Sequence, residues 1–123
     1  MPLDAKIENL SDRIAVVILT GSMNLGSALK LVDAQMQQAL ATEVAGLVLD
    51  LSGVDYVDSA GLGVLVHTYG LMNQHGGTLR LCGVQPRVRS LLQMTKTDLF
   101  LAIDETRDDS VAVLRTVRAA STA

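Results

Sequence analysis

Apolar residues form continuous runs at two places in the first half of the chain, residues 14–19 and residues 47–51. Continuous runs of this length are typical of strands that are buried on both faces of a parallel sheet. Three shorter segments complete the predicted strands: residues 79–82, residues 99–103, and residues 5–9, which we expect to pair with the strand beginning at Ile14 across a turn at Ser11 and Asp12.

Between the strands, apolar residues recur at steps of three and four, which predicts helices with one apolar face each. Pro86 suits the first turn of a helix, because no N–H group is needed there. Thr106 and Asp109 resemble a capping box at the start of the last helix. The apolar positions of the four predicted helices are Leu29, Val32, Met36, Ala39 and Leu40; Leu62, Leu65, Val66, Tyr69 and Met72; Val88, Leu91 and Leu92; and Val111, Leu114 and Val117.

The predicted elements follow the order strand, strand, helix, strand, helix, strand, helix, strand, helix. Strands that alternate with helices favour βαβ units with right-handed crossovers. We therefore predict an α/β fold with a mixed, mostly parallel sheet of about five strands and about four helices. We expect residues 1–123 to form a single domain, because a chain of this length normally builds one core.

Composition and charge exclude several functional classes. No stretch approaches the roughly 18 apolar residues of a membrane helix, and the first residues lack the pattern of an export signal, so we expect a cytoplasmic protein without membrane insertion. Cys82 is the single cysteine, which excludes an internal disulfide and a multi-cysteine zinc site. The net charge is −3 and the ten basic residues are spread along the chain, so direct nucleic-acid binding is not expected.

The segment 58–63, which reads Asp-Ser-Ala-Gly-Leu-Gly, follows a predicted strand at a position where α/β proteins often carry their sites. A hydrolytic serine needs a base, but His67 lies about 12 Å along the same predicted helix from Ser59. His75 lies two turns further on without acidic partners, so we predict no metal. The glycines lack the spacing of a phosphate-binding loop. We therefore predict a protein that is not an enzyme and has no cofactor.

Ser59 has two interpretations from its position alone. A serine at the start of a helix caps free backbone N–H groups and contributes about 1 kcal/mol. On the other hand, Gly61 and Gly63 occupy early helical positions, where glycine costs up to about 1 kcal/mol relative to alanine. Small residues there leave the Ser59 hydroxyl approachable. The residues by themselves leave a structural cap and a regulatory or binding role equally open.

The segment 58–63 resembles the motif of the STAS domain family, and within it that of the bacterial anti-sigma factor antagonists of the sporulation and stress-response type. The family motif is Asp-Ser-Ser/Thr/Ala-Gly-Leu-Gly. The resemblance extends over nearly the whole chain, since Leu19-Thr20-Gly21 closes the second strand and Pro86-Arg87-Val88 opens the third helix. The element order agrees as well.

The resemblance implies a switch in transcription regulation in which Ser59 is phosphorylated by a cognate anti-sigma factor that is also an ATP-dependent serine kinase. The unphosphorylated form binds the anti-sigma factor and frees the sigma factor, and a serine phosphatase restores this form. The residues that the resemblance places at the partner are Asn24, Asp58, Ser59, Gly61 and Leu62.

One position departs from the family pattern. Antagonists usually carry Gly-x-Leu-Asp after the second strand, whereas this chain reads Gly21-Ser22-Met23-Asn24. Asparagine keeps the hydrogen bonding of an aspartate but not its charge. Two alternative functions stay open: a STAS scaffold that does not switch, in a stress-signalling assembly or a lipid-transport complex, and a nucleotide-binding protein that uses a helix N-terminus as its anion site.

Overall fold

The computed structural model describes residues 2–41 and 44–121, and these form a five-stranded sheet with four helices. The strands lie in chain order across the sheet, and every neighbouring pair is parallel except the first two strands, which are antiparallel. The predicted α/β class and element order are confirmed. The strands are β1 (Asp4–Asn9), β2 (Ile14–Met23), β3 (Gly46–Val57), β4 (Thr78–Cys82) and β5 (Ile103–Asp104). The helices are α1 (Ser27–Leu40), α2 (Ser59–Gln74), α3 (Pro86–Met94) and α4 (Arg107–Ser121).

Side chains of β2 and β3 alternate between two layers of core, as the pleat of a strand requires. Val17 and Leu49 face the larger layer, which α1, α2 and α3 cover. Val16 and Val48 face the smaller layer, which α4 covers through residues such as Leu114. Because helices cover both faces of the central strands, successive residues are buried and the apolar runs are continuous.

The predicted pairing of the first two strands is confirmed. Asp4 lies opposite Thr20 and Asn9 lies opposite Ala15 in an antiparallel ladder. The turn between the strands uses left-handed backbone at Asp12, with φ 64°, and a hydrogen bond of 2.8 Å from the Leu10 N–H to the Ile14 carbonyl. β1 therefore forms one edge of the sheet.

The two central strands are longer than their apolar runs. β2 and β3 continue to Met23 and Val57, which lie opposite each other at the end of the parallel ladder. Beyond Leu51 the buried positions are Val54 and Val57, three residues apart, so the alternation of a regular strand is lost there. The extension brings the carboxyl ends of β2 and β3 side by side.

The predicted strand over residues 99–103 is wrong in most of its length. A short 3-10 turn occupies Thr97–Leu99, and β5 contains only Ile103 and Asp104. The side chain of Leu99 is 80% exposed, and the ring of Phe100 lies against that of Tyr69. The apolar run here combines an exposed Leu99, a ring contact at Phe100 and a buried Leu101, and a short edge strand follows it.

The predicted helix starts are confirmed at the last two helices. Pro86 is the first residue of α3. The Thr106 hydroxyl accepts a hydrogen bond of 3.1 Å from the Asp109 N–H just before α4 begins. The Asp104 carboxylate accepts hydrogen bonds from Arg80 and from the buried Ser110 hydroxyl, which joins β4, β5 and α4.

Candidate functional site

The first turn of α2 is capped by Asp58, which occupies the position before the helix. Its Oδ1 accepts a hydrogen bond of 2.9 Å from the Gly61 N–H, and its Oδ2 accepts one of 2.9 Å from the Leu25 N–H. These bonds, the one from Gly61 first, hold the pKa of the Asp58 carboxyl below its usual range. One carboxylate therefore ties the start of α2 to the loop after β2.

Ser59 is the first residue within α2, and its side chain is exposed. The interpretation of Ser59 as the helix cap is wrong, because a capping side chain belongs to the residue with extended backbone before the helix, and Asp58 has that backbone, with φ −95° and ψ −172°. The Ser59 hydroxyl forms no hydrogen bond with any residue that the structure describes. It is free to react or to bind.

The backbone of α2 lies unusually close to the end of β2 at Gly61. The Asp58 N–H donates a hydrogen bond of 3.1 Å to the Met23 carbonyl. A Cβ atom on Gly61 would lie 2.2 Å from the same oxygen and 2.8 Å from the Met23 Cβ, so only glycine fits there. Gly61 is buried, so it positions the segment and presents no surface to a partner. Gly63 is exposed, and an added Cβ would meet nothing within 4 Å.

All five residues that the resemblance places at the partner lie together at the carboxyl end of β2 and β3, and all except Gly61 are at least partly exposed. Asn24 and Leu25 are exposed in the loop after β2, and the hydrogen bond from Leu25 to Asp58 holds this loop beside Ser59. Leu62 is half-buried and packs against the larger core layer with part of its surface outside. The structure thus assembles an exposed hydroxyl, a fixed carboxylate and a neutral amide in one place.

A groove of about 400 Å³ extends from Ser59 along α3. Its walls include Tyr56 and Ser59 on one side and Arg87, Leu91 and Met94 on the other. The guanidinium carbon of Arg87 lies 5.3 Å from the centre of the Tyr56 ring, within the range of a cation–π contact. The groove therefore combines a cation with apolar surface directly beside the serine.

Sequence reasoning missed two exposed apolar residues near Ser59, one in the loop after β2 and one in the wall of this groove. Leu25 is 75% exposed and Met94 is 82% exposed, which is unusual for large apolar side chains. Both lie outside the periodic apolar faces of the predicted helices, and this position outside the pattern could have identified them as exposed. Tyr56 gave no comparable signal, because it lies at the end of a strand whose alternation is lost.

The other candidate groups lie away from this site. His67 is exposed on α2, and His75 follows the last residue of that helix. Burial raises the pKa of the Cys82 thiol to about 12. Within the described residues there is no group of three or more side chains placed to hold a metal ion. Among the same residues, no helix has the length and apolar character needed to cross a membrane.

The N-terminus of α2 does not offer an empty anion site. The Asp58 carboxylate already accepts from the Gly61 N–H, which belongs to the first turn. A nucleotide phosphate would have to displace this carboxylate, which the Leu25 N–H also holds in place by donating a second hydrogen bond to it. The geometry therefore gives no support to the nucleotide-binding alternative.

Comparison with known proteins gives consistent results. The family model of the STAS domain matches residues 8–110. An anti-sigma F factor antagonist from Paenibacillus polymyxa is 30% identical over 105 residues, which cover 85% of this chain and 89% of that protein. The crystal structure of an anti-sigma factor antagonist from Mycobacterium paratuberculosis has a TM-score of 0.81 and 26% identity, covering 92% of this chain and 94% of that one. The unphosphorylated anti-sigma factor antagonist SpoIIAA has a TM-score of 0.79 at 18% identity, covering 92% of this chain and 97% of that one, which shows a shared fold.

Proposed function

Since this chain belongs to the STAS domain family, we propose that it is an anti-sigma factor antagonist that works as a partner switch, with Ser59 as its phosphorylation site. The observation that carries the proposal is the exposed Ser59 hydroxyl, which has no hydrogen-bond partner among the described residues and is held in place by the Asp58 cap. The similarity to an antagonist from Paenibacillus polymyxa over 85% of the chain supports it.

In the proposed reaction this domain is the substrate of the anti-sigma factor kinase. The Ser59 oxygen attacks the γ-phosphorus of ATP bound to the kinase, a new O–P bond forms, the bond to the β-phosphate oxygen breaks, and ADP leaves. The hydroxyl proton passes to a base of the kinase, because the neighbouring Asp58 carboxylate is committed to two backbone N–H groups. A serine phosphatase reverses the modification by adding water and releasing inorganic phosphate.

The partner surface that we propose surrounds Ser59. It includes Asn24 and Leu25 from the loop after β2 and the exposed part of Leu62 from α2. An exposed leucine beside a polar centre matches the usual arrangement of protein interfaces, in which apolar contacts supply affinity and polar groups supply specificity. The groove along α3 extends this surface on the other side of the serine.

Phosphorylation would change this surface mainly through charge. A phosphate adds roughly 1.5 to 2 negative charges at pH 7 next to the Asp58 carboxylate. Within the free domain the Asp58 carboxylate already occupies the N-terminus of α2, so that helix end offers the phosphate little further compensation. At an interface the same charge must lose its water or meet a like charge, and about 2.7 kcal/mol is enough to weaken binding a hundredfold.

Asn24 is the position where this chain differs from the usual antagonist pattern. The loop hydrogen bond from Leu25 to Asp58 places it beside the proposed phosphorylation site. A neutral side chain there lowers the negative charge that an incoming ATP phosphate meets. We therefore expect Asn24→Asp to lower the rate of phosphorylation and to change the affinity for the anti-sigma factor much less. Phosphate transfer measures the rate, and calorimetry on the same pair of proteins measures the affinity.

The test begins with capture from native lysate, by wild-type protein, of an ATP-binding protein that is then identified and purified. Calorimetry compares its affinity for wild type, Ser59→Ala and Ser59→Asp, with Ser11→Asp as a charge control, since Ser11 is exposed in the turn at the opposite end of β2. We expect Ser59→Asp to weaken binding at least tenfold, or about 1.4 kcal/mol. Ser59→Ala and Ser11→Asp should bind as wild type does.

Phosphate transfer is measured in parallel with γ-labelled ATP. Label should appear on wild type and be absent from Ser59→Ala. If the partner binds all four proteins equally and no label appears, the switch is refuted and the domain acts as a scaffold.

A further inference from the structure

Arg87 is a cation on the groove beside Ser59 whose guanidinium forms no ion pair with any residue that the structure describes. Three other arginines of the described chain each pair with a carboxylate: Arg80 with Asp104, Arg107 with Glu8, and Arg115 with Asp12. The Arg87 side chain instead lies over the Tyr56 ring, at 5.3 Å. Its charge is therefore available to an anion that enters the groove.

The backbone of Arg87 is well anchored relative to Ser59. Arg87 is the second residue of α3, and its neighbour Val88 is buried in the larger core layer. The Gln85 amide before the helix donates a hydrogen bond of 2.7 Å to the Ser52 carbonyl of β3, the same strand that leads into Ser59. The side chain thus extends from a fixed point over the groove.

Two charged side chains line this groove. Asp58 contributes a carboxylate beside Ser59. From α3, Arg87 supplies positive charge to the groove walls. A dianion formed on Ser59 would meet the like charge of Asp58, and the cation in the groove walls that can compensate it is Arg87.

We propose that Arg87 is the intramolecular partner of the phosphate on Ser59. This inference rests on the proposed function, in which Ser59 is phosphorylated. The planar fork of a guanidinium matches two phosphate oxygens at once, which a point charge does not. On phosphorylation the guanidinium leaves the Tyr56 ring and pairs with the phosphate. The modification then changes the shape of the groove as well as its charge, because the Arg87 side chain lies across the space between Ser59 and α3.

The test uses protein that carries phosphoserine at position 59, installed during translation through a recoded stop codon, so that no kinase is required. The second pKa of the phosphate, ordinarily about 6, is measured by a phosphorus-31 NMR titration. The variants are Arg87→Gln, Arg87→Lys and the matched control Arg89→Gln, which removes an exposed cation from the same helix outside the groove.

We expect the phosphate pKa to rise by about half a unit or more in Arg87→Gln relative to wild type, because a nearby cation favours the dianion. Arg89→Gln should titrate as wild type, and Arg87→Lys should lie between the two. The Arg87 side-chain N–H resonance should also shift between the unmodified and the phosphorylated wild-type protein. Equal pKa values in all four proteins, or an unshifted Arg87 resonance, would overturn the proposal.

The failure of this proposal can be distinguished from the failure of the proposed function. If the kinase modifies Ser59 but the titration shows no effect of Arg87, only the pairing is wrong. If the titration shows the effect but no cellular kinase modifies Ser59, the pairing stands as a property of the phosphorylated chain and the proposed function fails.

Discussion

Replacing Gly61 with alanine puts a methyl group where the end of β2 already lies. The added Cβ would be 2.2 Å from the Met23 carbonyl oxygen and 3.0 Å from the carbonyl carbon. An ordinary carbon–oxygen contact is about 3.3 Å or longer, so α2 and β2 must separate by about 1 Å. The atoms that have to move are backbone atoms, which cannot turn away as a flexible side chain does.

The magnitude follows from two opposing effects. Inserting an extra methyl group into close-packed structure costs about 1–3 kcal/mol, whereas alanine gains up to about 1 kcal/mol over glycine within a helix. We therefore expect Gly61→Ala to lower the free energy of unfolding by about 1–2 kcal/mol. Gly63→Ala is the matched control, because nothing lies within 4 Å of its added Cβ. That variant should gain about 0.5–1 kcal/mol.

Urea unfolding followed by circular dichroism measures both variants against wild type. With a typical denaturant slope for a small domain, we expect the two midpoints to differ by about 1 M or more. Nitrogen-15 NMR spectra should also show shifted amide signals at Leu25 and Asp58 in Gly61→Ala only. Equal midpoints for the two alanine variants would refute the close approach at Gly61 and the geometry of the site that depends on it.

Three further predictions test the fold away from this site. Leu101→Ala should destabilise the protein by about 2–5 kcal/mol, because Leu101 is 1% exposed. Leu99→Ala should change stability by less than about 0.5 kcal/mol, because Leu99 is 80% exposed. Similar urea midpoints for the two variants would mean that this segment is wrongly placed. The hydrogen bonds from Arg80 hold the pKa of Asp104 below its usual range, so this carboxylate contributes stability above the ordinary carboxyl pKa of about 4 that is lost as pH falls through the lower folded-state value. Unfolding midpoints at neutral and acid pH should therefore fall less in Asp104→Asn than in wild type, and an identical fall in both would contradict this. Burial and a pKa of about 12 should protect the Cys82 thiol from alkylation by iodoacetamide at pH 8 until urea unfolds the chain, so fast labelling of folded protein, read by mass spectrometry, counts against the structure.

The elements that the sequence predicted well are those with a strong local pattern. The apolar face of α1, with Val32 and Met36 buried, follows directly from residues spaced at a helical period. The hairpin of β1 and β2 was also predicted, because a turn at Ser11 and Asp12 separates the two strands. The segment 99–103 failed for the opposite reason. Its apolar residues serve different contacts, with Phe100 against Tyr69 and Leu99 exposed, and no local pattern distinguishes these from a strand.

The candidate site was likewise predicted in part. Ser59 was identified from the order of residues around it, since the motif can be read in the chain. The capping role that the sequence suggested for Ser59 belongs to Asp58. Ser and Asp are both good caps, and only the backbone angles decide which one precedes the helix. The groove was not predicted, because its walls come from β3 and α3, about thirty residues apart in the chain.

The α/β class, the order of the elements and the place of the motif between a buried strand and a helix could be predicted from the chain alone, because all three depend on periodicity and spacing along it. Three features came from the folded chain: Asp58 caps the helix and leaves Ser59 exposed, Gly61 is needed against Met23, and Arg87 faces the same groove as the serine. These features depend on distances between segments that are remote in sequence. Such distances are set by how helices pack on a twisted sheet, which no local pattern of residues records.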